Sequence, residues 1–413
     1  MPFRWRIVAL LFFLSVINYL DRQALSVLAP TLREQLHFST VEYSYIVTIF
    51  LIAYALGYTF CGTLIDRFGV RIAVFGAVAV WSLAGMLHAL ATTWLALAAC
   101  RFLLGLAESF NTPCAVKAIG EWVPTRERGL STAIFSNGFI IGAVIAPPFV
   151  SFVAVRYGWQ WGFLATGALG FIYLIWWRAF YYSPERHPSL PSHELDYIVQ
   201  QRRVPTTTAS ISLLAALRNP LCLGFAVARL LTDSLSFFFS FWLPEYLQSS
   251  RGFSLSMIGL FAWIPFLAAD IGGPGSGAFS DWLVRRGWEP VKARRRMLLV
   301  AACVMPSALI AAHAQSAGVA IGIIALILAA QSCWNSNLMT MMSEKFPREH
   351  LATYVALVSI GGSIGGIIST LLAGKVIHAI GYIPVFTTLG FLHITAFAVI
   401  TYFLHRAGRK PAA

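Results

Sequence analysis

Four charged residues lie within two long apolar runs in the first part of the chain. Asp21 and Arg22 are adjacent in the first run, and Arg101 and Glu108 lie in the fourth. Two helical turns separate Arg101 from Glu108, so they share one helix face about 10 Å apart. Placing such a charge at the centre of a membrane helix costs about 2.5–3.5 kcal/mol. The two acids and two bases cancel in charge, which favours a water-filled cavity over a lipid-facing surface.

These residue types suit the binding of an anion together with protons. An arginine fork binds both oxygens of a carboxylate, and a buried acid that exchanges partners between two states can load and release a proton. We therefore assign Arg22 to a substrate carboxylate and Asp21 and Glu108 to proton coupling. Arg101 is their predicted exchanging partner. The alternative is a purely structural network of buried ion pairs.

Further polar side chains in the apolar runs could contact a hydroxylated substrate. They are Tyr19, Tyr54, Asn137, Trp334, Asn335 and Asn337. The tyrosines could equally be packing or interface aromatics, and the amide of Asn137 could instead bond a neighbouring helix. The roles of Arg229, Asp233 and Asp270 stay open.

The composition predicts a membrane protein. Of 413 residues, 58% are hydrophobic and 11% are charged, with a mean hydropathy of +0.72, whereas a soluble domain carries about 25% charged residues. A span needs about 20 apolar residues, and twelve runs qualify: 6–29, 41–63, 70–91, 95–117, 129–153, 159–181, 220–248, 256–280, 296–315, 317–342, 351–376 and 382–405. Twelve transmembrane helices are expected.

Positive charge clusters in alternate loops of the predicted helices, which accounts for the net charge of +13 better than nucleic-acid binding does. The clusters are 67–71, 124–129, 285–296, 345–350 and 405–410. By the positive-inside rule, both termini are predicted to be cytoplasmic. The polar stretch 182–218, with a short helix at 192–203, is the predicted cytoplasmic linker between an amino-terminal bundle, 1–181, and a carboxyl-terminal bundle, 219–413.

The two halves repeat each other. GTLIDRFGVR (62–71) recurs as GAFSDWLVRRG (277–287), and EWVPTRERG (121–129) recurs as EKFPREHLA (344–352). Gln331 stands where the repeat would place a counterpart of Glu108, so protons are assigned to the first half and substrate hydroxyls to the second. Two six-helix bundles related by pseudo-two-fold symmetry follow, with a substrate site expected between them.

The repeated motif carries a family resemblance. Gly62, Asp66, Arg67, Gly69 and Arg71 resemble the signature between the second and third helices of the major facilitator superfamily. This resemblance implies the all-α major facilitator fold. It also implies that the five residues form a conformational latch, although charges that merely set topology are the alternative.

Longer segments resemble one branch of that family. NYLDR (18–22) and RFLLGLAES (101–109) are similar to the anion:cation symporters. RLLTDSLSFFFSFWLPEYL (229–247), AADIGG (268–273) and GWEPVKARR (287–295) resemble hexuronate transporters. The branch resemblance implies the same division of roles among Asp21, Arg22, Arg101 and Glu108.

The expected function is proton-coupled symport of a small organic anion by alternating access. A hexuronate such as glucuronate or galacturonate, or another sugar acid, is the expected substrate. Exchange of the anion for phosphate or another anion is one alternative, and a membrane sensor is another. The chain shows no paired nucleophile and base and no phosphate-binding loop, so no enzyme activity is expected. A monomer in the bacterial inner membrane is expected, without cofactor, metal or nucleic acid.

Overall fold

A computed structural model describes residues 2–200, 216, 218–347 and 350–408 of the chain. Within these residues the regular structure is helical. The first unit of sequence holds seven α-helices: α1 (Phe3–Leu36), α2 (Thr40–Leu87), α3 (Trp94–Glu108), α4 (Asn111–Trp122), α5 (Arg128–Tyr157), α6 (Trp159–Phe180) and α7 (Ser192–Gln200). The remainder are α8 (Pro220–Arg251), α9 (Leu255–Phe261), α10 (Ile264–Arg285), α11 (Pro290–Val304), α12 (Ala308–His313), α13 (Ala317–Lys345), α14 (Leu351–Ile380) and α15 (Ile383–Gly408).

The helices reproduce the predicted number of membrane spans. Among the described residues, 10 helical segments are long and apolar enough to cross a membrane. One of these, Thr40–Leu90, has 51 residues and combines the predicted second and third helices. The predicted fourth helix is divided into α3 and α4, neither of which is long enough alone. Counting the long segment as two spans and the divided helix as one gives the predicted twelve.

The second and third helices join without the loop that the sequence suggested. Gly69 is the one residue inside α2 with non-helical angles, at φ 77° and ψ 160°. Other residues rarely adopt that positive φ, whereas glycine does so at little cost. A single glycine therefore turns the chain between two helices that otherwise run on continuously.

The described chain divides into two compact units. One takes the described residues of Met1–Thr206 together with Phe253–Trp263, and the other takes those of Thr207–Gly252 and Ile264–Ala413. The short helix α9 thus groups with the first unit. The predicted bundle limits, 1–181 and 219–413, stay a prediction.

The described part of the predicted linker is fastened to the first unit. The Glu194 carboxylate of α7 accepts hydrogen bonds from the backbone nitrogens of Phe3 and Arg4, at 3.0 and 3.2 Å. Arg4 also pairs with Glu127 beside the start of α5, at 2.8 Å. A carboxylate at a helix amino terminus satisfies free N–H groups and the helix dipole. Residues 201–215 of the linker, and 348–349 and 409–410 of the positive clusters, lie outside the described residues.

Glycines bring α1 and α5 into close contact in the first unit. A Cβ added at Gly142 would lie 2.7 Å from the Val16 carbonyl oxygen and 2.9 Å from the Tyr19 Cβ. In the second unit, Gly361 and Gly365 of α14 face the backbone of α8 in the same manner. Small residues permit such close helix approach in membranes. The contact fixes the position of α1, the helix that carries the charged pair 21–22, relative to α5.

The variant Gly142→Ala tests this contact. We expect it to destabilise the protein by about 1–3 kcal/mol, because the added methyl must push Val16 or Tyr19 away. Gly129→Ala on the same helix is the matched control, since nothing lies within 4 Å of a Cβ built there. The measurement is the unfolding midpoint in detergent. Equal midpoints for the two variants would contradict the close contact.

Candidate functional site

A buried ion pair joins α1 to α3 in the first unit. Arg22 donates from Nε and Nη2 to Oε2 of Glu108, at 3.0 and 2.8 Å. The Glu108 side chain is 0% exposed, whereas that of Arg22 is 16% exposed. Both guanidinium nitrogens converge on one carboxylate oxygen, and the other oxygen, Oε1, is buried without a hydrogen-bond partner among the described residues. The sequence analysis grouped two acids and two bases in one half but did not name Glu108 as the partner of Arg22.

Three aromatic rings surround the Arg22 guanidinium. Its central carbon lies 4.7 Å from the ring centre of Tyr54, 5.1 Å from that of Phe50 and 5.5 Å from that of Tyr19. Aromatic faces attract a cation and keep it partly shielded from water. Tyr54 and Tyr19 therefore lie beside Arg22, and their contact with a substrate stays a prediction. Phe50 was not singled out because one phenylalanine in an apolar run carries no signal of its own.

Arg101 donates hydrogen bonds to a backbone carbonyl oxygen rather than to a carboxylate. Its two terminal nitrogens each donate to the carbonyl oxygen of Arg22, at 3.2 Å. The side chain is 1% exposed. Arg101, on α3, therefore fixes the backbone of α1 at Arg22, the residue that pairs with Glu108. Its predicted exchange between acids stays a prediction.

Asp21 is buried beside the pair but does not take part in it. Both of its carboxyl oxygens are buried without a hydrogen-bond partner among the described residues, and the residue is 3% exposed. Thr166 is a polar neighbour of the carboxyl group, and Gly85 leaves room beside it. An unpaired buried charge costs several kcal/mol, so this acid is a fitting candidate for a group that binds a proton.

A break in the fourth helix determines where Glu108 lies. Glu108 is the last residue of α3, and α4 begins at Asn111. Pro113 lacks an N–H, and its ring clashes with the carbonyl four residues earlier, which interrupts a helix at this point. The side chain of Asn111 is 2% exposed, and its oxygen and nitrogen lack hydrogen-bond partners among the described residues. Sequence reasoning missed Asn111, although Pro113 in the same run signalled the break.

Asn137 does not join the described cluster. It is exposed on α5, adjacent to the packed glycine Gly138. Its role in contacting substrate stays a prediction.

The polar residues of the second unit form a separate network. Gln331 of α13 donates to the Thr232 carbonyl at 3.1 Å and to Ser236 at 2.8 Å, and its oxygen lies 2.5 Å from Nε2 of His393. The ring of Trp334 contacts His393 edge to face, 5.1 Å between centres. His393 is fully buried and was missed, because a lone histidine in an apolar run gives no ligand spacing.

The two remaining candidate amides lie on the same helix. Asn337 donates to Ser276 at 3.2 Å and to the Cys333 carbonyl at 3.0 Å. The side-chain oxygen of Asn335 is buried without a partner among the described residues. The side-chain oxygen of Asn337 is also buried without a partner among the described residues, so both amides have an oxygen with unused hydrogen-bonding capacity. On α8, Arg229 and Asp233 pair with each other at 2.8 Å.

The predicted latch residues lie around the kink in α2. Asp66 pairs with Lys117 of α4 at 2.7 Å, rather than with an arginine. Gly62 has nothing within 4 Å of a built Cβ, and Gly69 supplies the kink. The pair of Asp66 and Lys117 therefore joins α2 to α4.

The two arginines of the latch make different contacts. Arg71 stacks on the ring of Tyr182 at 3.7 Å and donates to the Arg178 carbonyl at 2.9 Å. Arg67 lies over its neighbour Phe68, 5.4 Å from the ring centre. The contacts of Arg71 alone join the segment of α2 after Gly69 to the end of α6.

Twelve apolar spans with paired charges inside them define a multi-pass membrane transporter. A model of the Major Facilitator Superfamily matches residues 11–344 and 292–413. The chain belongs to this family; it is a transporter and not an enzyme.

Two relatives and one solved structure are similar to the chain. It is 31% identical to the "Hexuronate transporter" of Escherichia coli (strain K12), covering 99% of this chain and 95% of that protein. It is 34% identical to the "Galacturonate transporter" of Dickeya chrysanthemi, covering 65% and 79%. A crystal structure of a bacterial homolog to the human lysosomal transporter Spinster matches with a TM-score of 0.72 at 17% identity, covering 99% and 96%. At that identity the likeness shows the fold alone.

Proposed function

We propose that the protein carries a small organic anion together with protons, by alternating access. A hexuronate such as glucuronate or galacturonate, or another sugar acid, is the proposed substrate. The observation that carries the proposal is the Arg22–Glu108 pair, enclosed by Tyr19, Phe50 and Tyr54. The names of the two relatives, which are a hexuronate and a galacturonate transporter, support the substrate class.

Competition for Arg22 explains how a proton and an anion would travel together. The Nε and Nη2 donors of Arg22 are occupied by Glu108, and a substrate carboxylate needs the same fork. Protonation of Glu108 removes its charge and weakens the pair. Arg22 is then released to a second carboxylate, that of the substrate. One proton on Glu108 thereby accompanies one substrate anion, with no net change of charge at the pair.

Asp21 and Arg101 support this exchange in different ways. Asp21 is the second proposed proton carrier, since its carboxyl group is buried without a hydrogen-bond partner among the described residues. Arg101 keeps the backbone of Arg22 in position through its two hydrogen bonds. Because that contact is to a carbonyl oxygen, it persists whether Glu108 pairs with Arg22 or has released it.

The remaining assignments complete the proposal. Tyr19 and Tyr54 contact substrate hydroxyls beside Arg22, and Asn137, Trp334, Asn335 and Asn337 are further proposed contacts. The motif Gly62, Asp66, Arg67, Gly69 and Arg71 acts as the latch between access states. The protein is proposed to work as a monomer in the bacterial inner membrane with both termini in the cytoplasm. The excess of positive charge in alternate loops supports that orientation.

Uptake of labelled glucuronate into proteoliposomes tests the function. We expect accumulation when the outside is made more acidic and equilibration without a gradient. Uptake that ignores the gradient but requires an anion inside the vesicles would favour exchange for phosphate or another anion. An absence of uptake of glucuronate, galacturonate and aldonates under both conditions would overturn the proposed substrate class.

A further inference from the structure

A basic and aromatic cavity lies at the kink inside α2, away from the charged pair in α1 and α3. Its volume is about 480 Å³. Three arginines line it, Arg71, Arg178 and Arg186, with Trp177 and Tyr182 as aromatic walls. Arg178 and Arg186 are exposed, and Arg71 is held in place by its stacking on Tyr182.

One carboxylate also lines this cavity. The Glu121 side chain accepts a hydrogen bond from the Tyr181 hydroxyl at 3.4 Å, so the three guanidinium groups exceed the acidic charge of the cavity by two. Guanidinium groups bind phosphate through paired donors. The chemistry of the cavity therefore fits a phosphate-bearing anion.

An apolar groove continues from this cavity along α2, with Leu106, Ala107 and Phe110 on its other side. It encloses about 350 Å³ and shares Phe68 and Ile72 with the basic cavity. From Ile72 the groove follows α2 to Val80, about 12 Å at the rise of an α-helix. Ile72 is 61% exposed and Val80 is 48% exposed. At Gly76, midway along, nothing lies within 4 Å of a built Cβ, so the missing side chain leaves the groove open.

We propose that the cavity and the groove together bind one anionic phospholipid. Its headgroup phosphate is bound by Arg71, Arg178 and Arg186, and an acyl chain lies along the groove past Gly76. Charge complementarity identifies the occupant: a cationic cavity joined to an apolar groove matches a molecule with a phosphate at one end and a hydrocarbon chain at the other. The positive-inside pattern assigns this end of the helices to the cytoplasmic leaflet, where anionic lipids interact with basic clusters. The site is independent of the Arg22–Glu108 pair.

Thermal unfolding of the purified full-length chain in neutral detergent provides the test. The unfolding midpoint is followed during titration with phosphatidylglycerol, phosphatidylcholine or inorganic phosphate, since a ligand that binds the folded state raises it. We expect phosphatidylglycerol alone to raise the midpoint. The double variant R178Q/R186Q should weaken the apparent affinity about 30-fold, because each arginine near an anionic lipid contributes about five- to sixfold. Gly76→Leu should weaken it about tenfold by filling the acyl groove.

Matched controls separate the site from general charge and stability effects. R285Q/R286Q removes the same charge from two exposed arginines in the second unit, and Gly322→Leu adds the same side chain where a Cβ also meets nothing within 4 Å. Both should bind phosphatidylglycerol like the unmodified chain. Two results would overturn the proposal. If phosphatidylcholine stabilises the protein as much as phosphatidylglycerol does, the site does not recognise negative charge. If inorganic phosphate does so, the site binds a free anion and not a lipid. Weakening by the arginine variant without any change in Gly76→Leu would overturn the acyl-chain groove.

Discussion

The double variant Asp21→Asn/Glu108→Gln is expected to exchange substrate but not to concentrate it. Neutral amides imitate the protonated acids, so Arg22 is free for a substrate carboxylate at every pH. A gradient of one pH unit is worth about 1.4 kcal/mol per proton, which corresponds to about tenfold accumulation for each coupled proton. We expect the double variant to lose this accumulation entirely, because neither proposed carrier can take up a proton.

Two assays in the same proteoliposomes distinguish lost coupling from lost transport. Gradient-driven accumulation of labelled glucuronate should vanish, while counterflow with unlabelled glucuronate inside should persist. The matched control is Asp196→Asn/Glu289→Gln, which makes the same chemical changes at two exposed acids. A double variant that still concentrates glucuronate when the outside is acidified would contradict the assignment of proton coupling to Asp21 and Glu108.

Arg22→Lys is expected to reduce transport by about 10- to 150-fold, although it keeps the positive charge. The structure shows Nε and Nη2 of Arg22 acting together on one carboxylate oxygen. Lysine offers a single ammonium without a planar fork, so it binds a carboxylate less specifically. Lysine therefore loses one of the two charge-assisted hydrogen bonds of the fork with the substrate carboxylate, worth about 1.5–3 kcal/mol or a factor of about 10 to 150 in binding.

Both gradient-driven uptake and counterflow should fall in Arg22→Lys, because Arg22 is proposed to bind the substrate itself and not only to take part in proton coupling. Arg33→Lys is the matched control, an identical substitution on the same helix, where Arg33 donates to the Phe38 carbonyl. The two variants should differ in transport while their unfolding midpoints stay similar. Counterflow by Arg22→Lys at the rate of the Arg33→Lys control would show that the fork is not required for the substrate.

The number of helices and the location of buried charge could be predicted from the sequence, because both follow from the free energy of placing residues in the membrane. About 20 apolar residues are needed for each span, and charges placed inside such spans are expensive enough to be conspicuous. The sequence therefore singled out Asp21, Arg22, Arg101 and Glu108. The family model confirms the major facilitator fold.

The partners of those charges could not be predicted, because they depend on how helices distant in sequence rotate against each other. Arg22 pairs with Glu108 across 86 residues, whereas Arg101 uses its fork on a backbone carbonyl oxygen. The spacing along α3 predicted that Arg101 and Glu108 share one helix face. It did not predict which of the two would pair with a side chain of α1.

Kinks and interruptions of helices are the second feature that could not be predicted from the sequence. The loop expected around 67–71 is a single residue, Gly69, with a positive φ. The fourth helix is interrupted just after Glu108. Pro113 gave a local signal for the second break, but a glycine within an apolar run predicts a turn no better than it predicts close helix packing.

The most direct test of proton-coupled transport is the pH inside proteoliposomes during substrate entry. A pH-sensitive dye is trapped in the lumen, no gradient is imposed, and glucuronate is added outside. We expect the lumen to acidify as labelled glucuronate enters, and to remain at constant pH with the Asp21→Asn/Glu108→Gln variant. Entry of label into vesicles of the unmodified protein without any acidification would contradict proton symport.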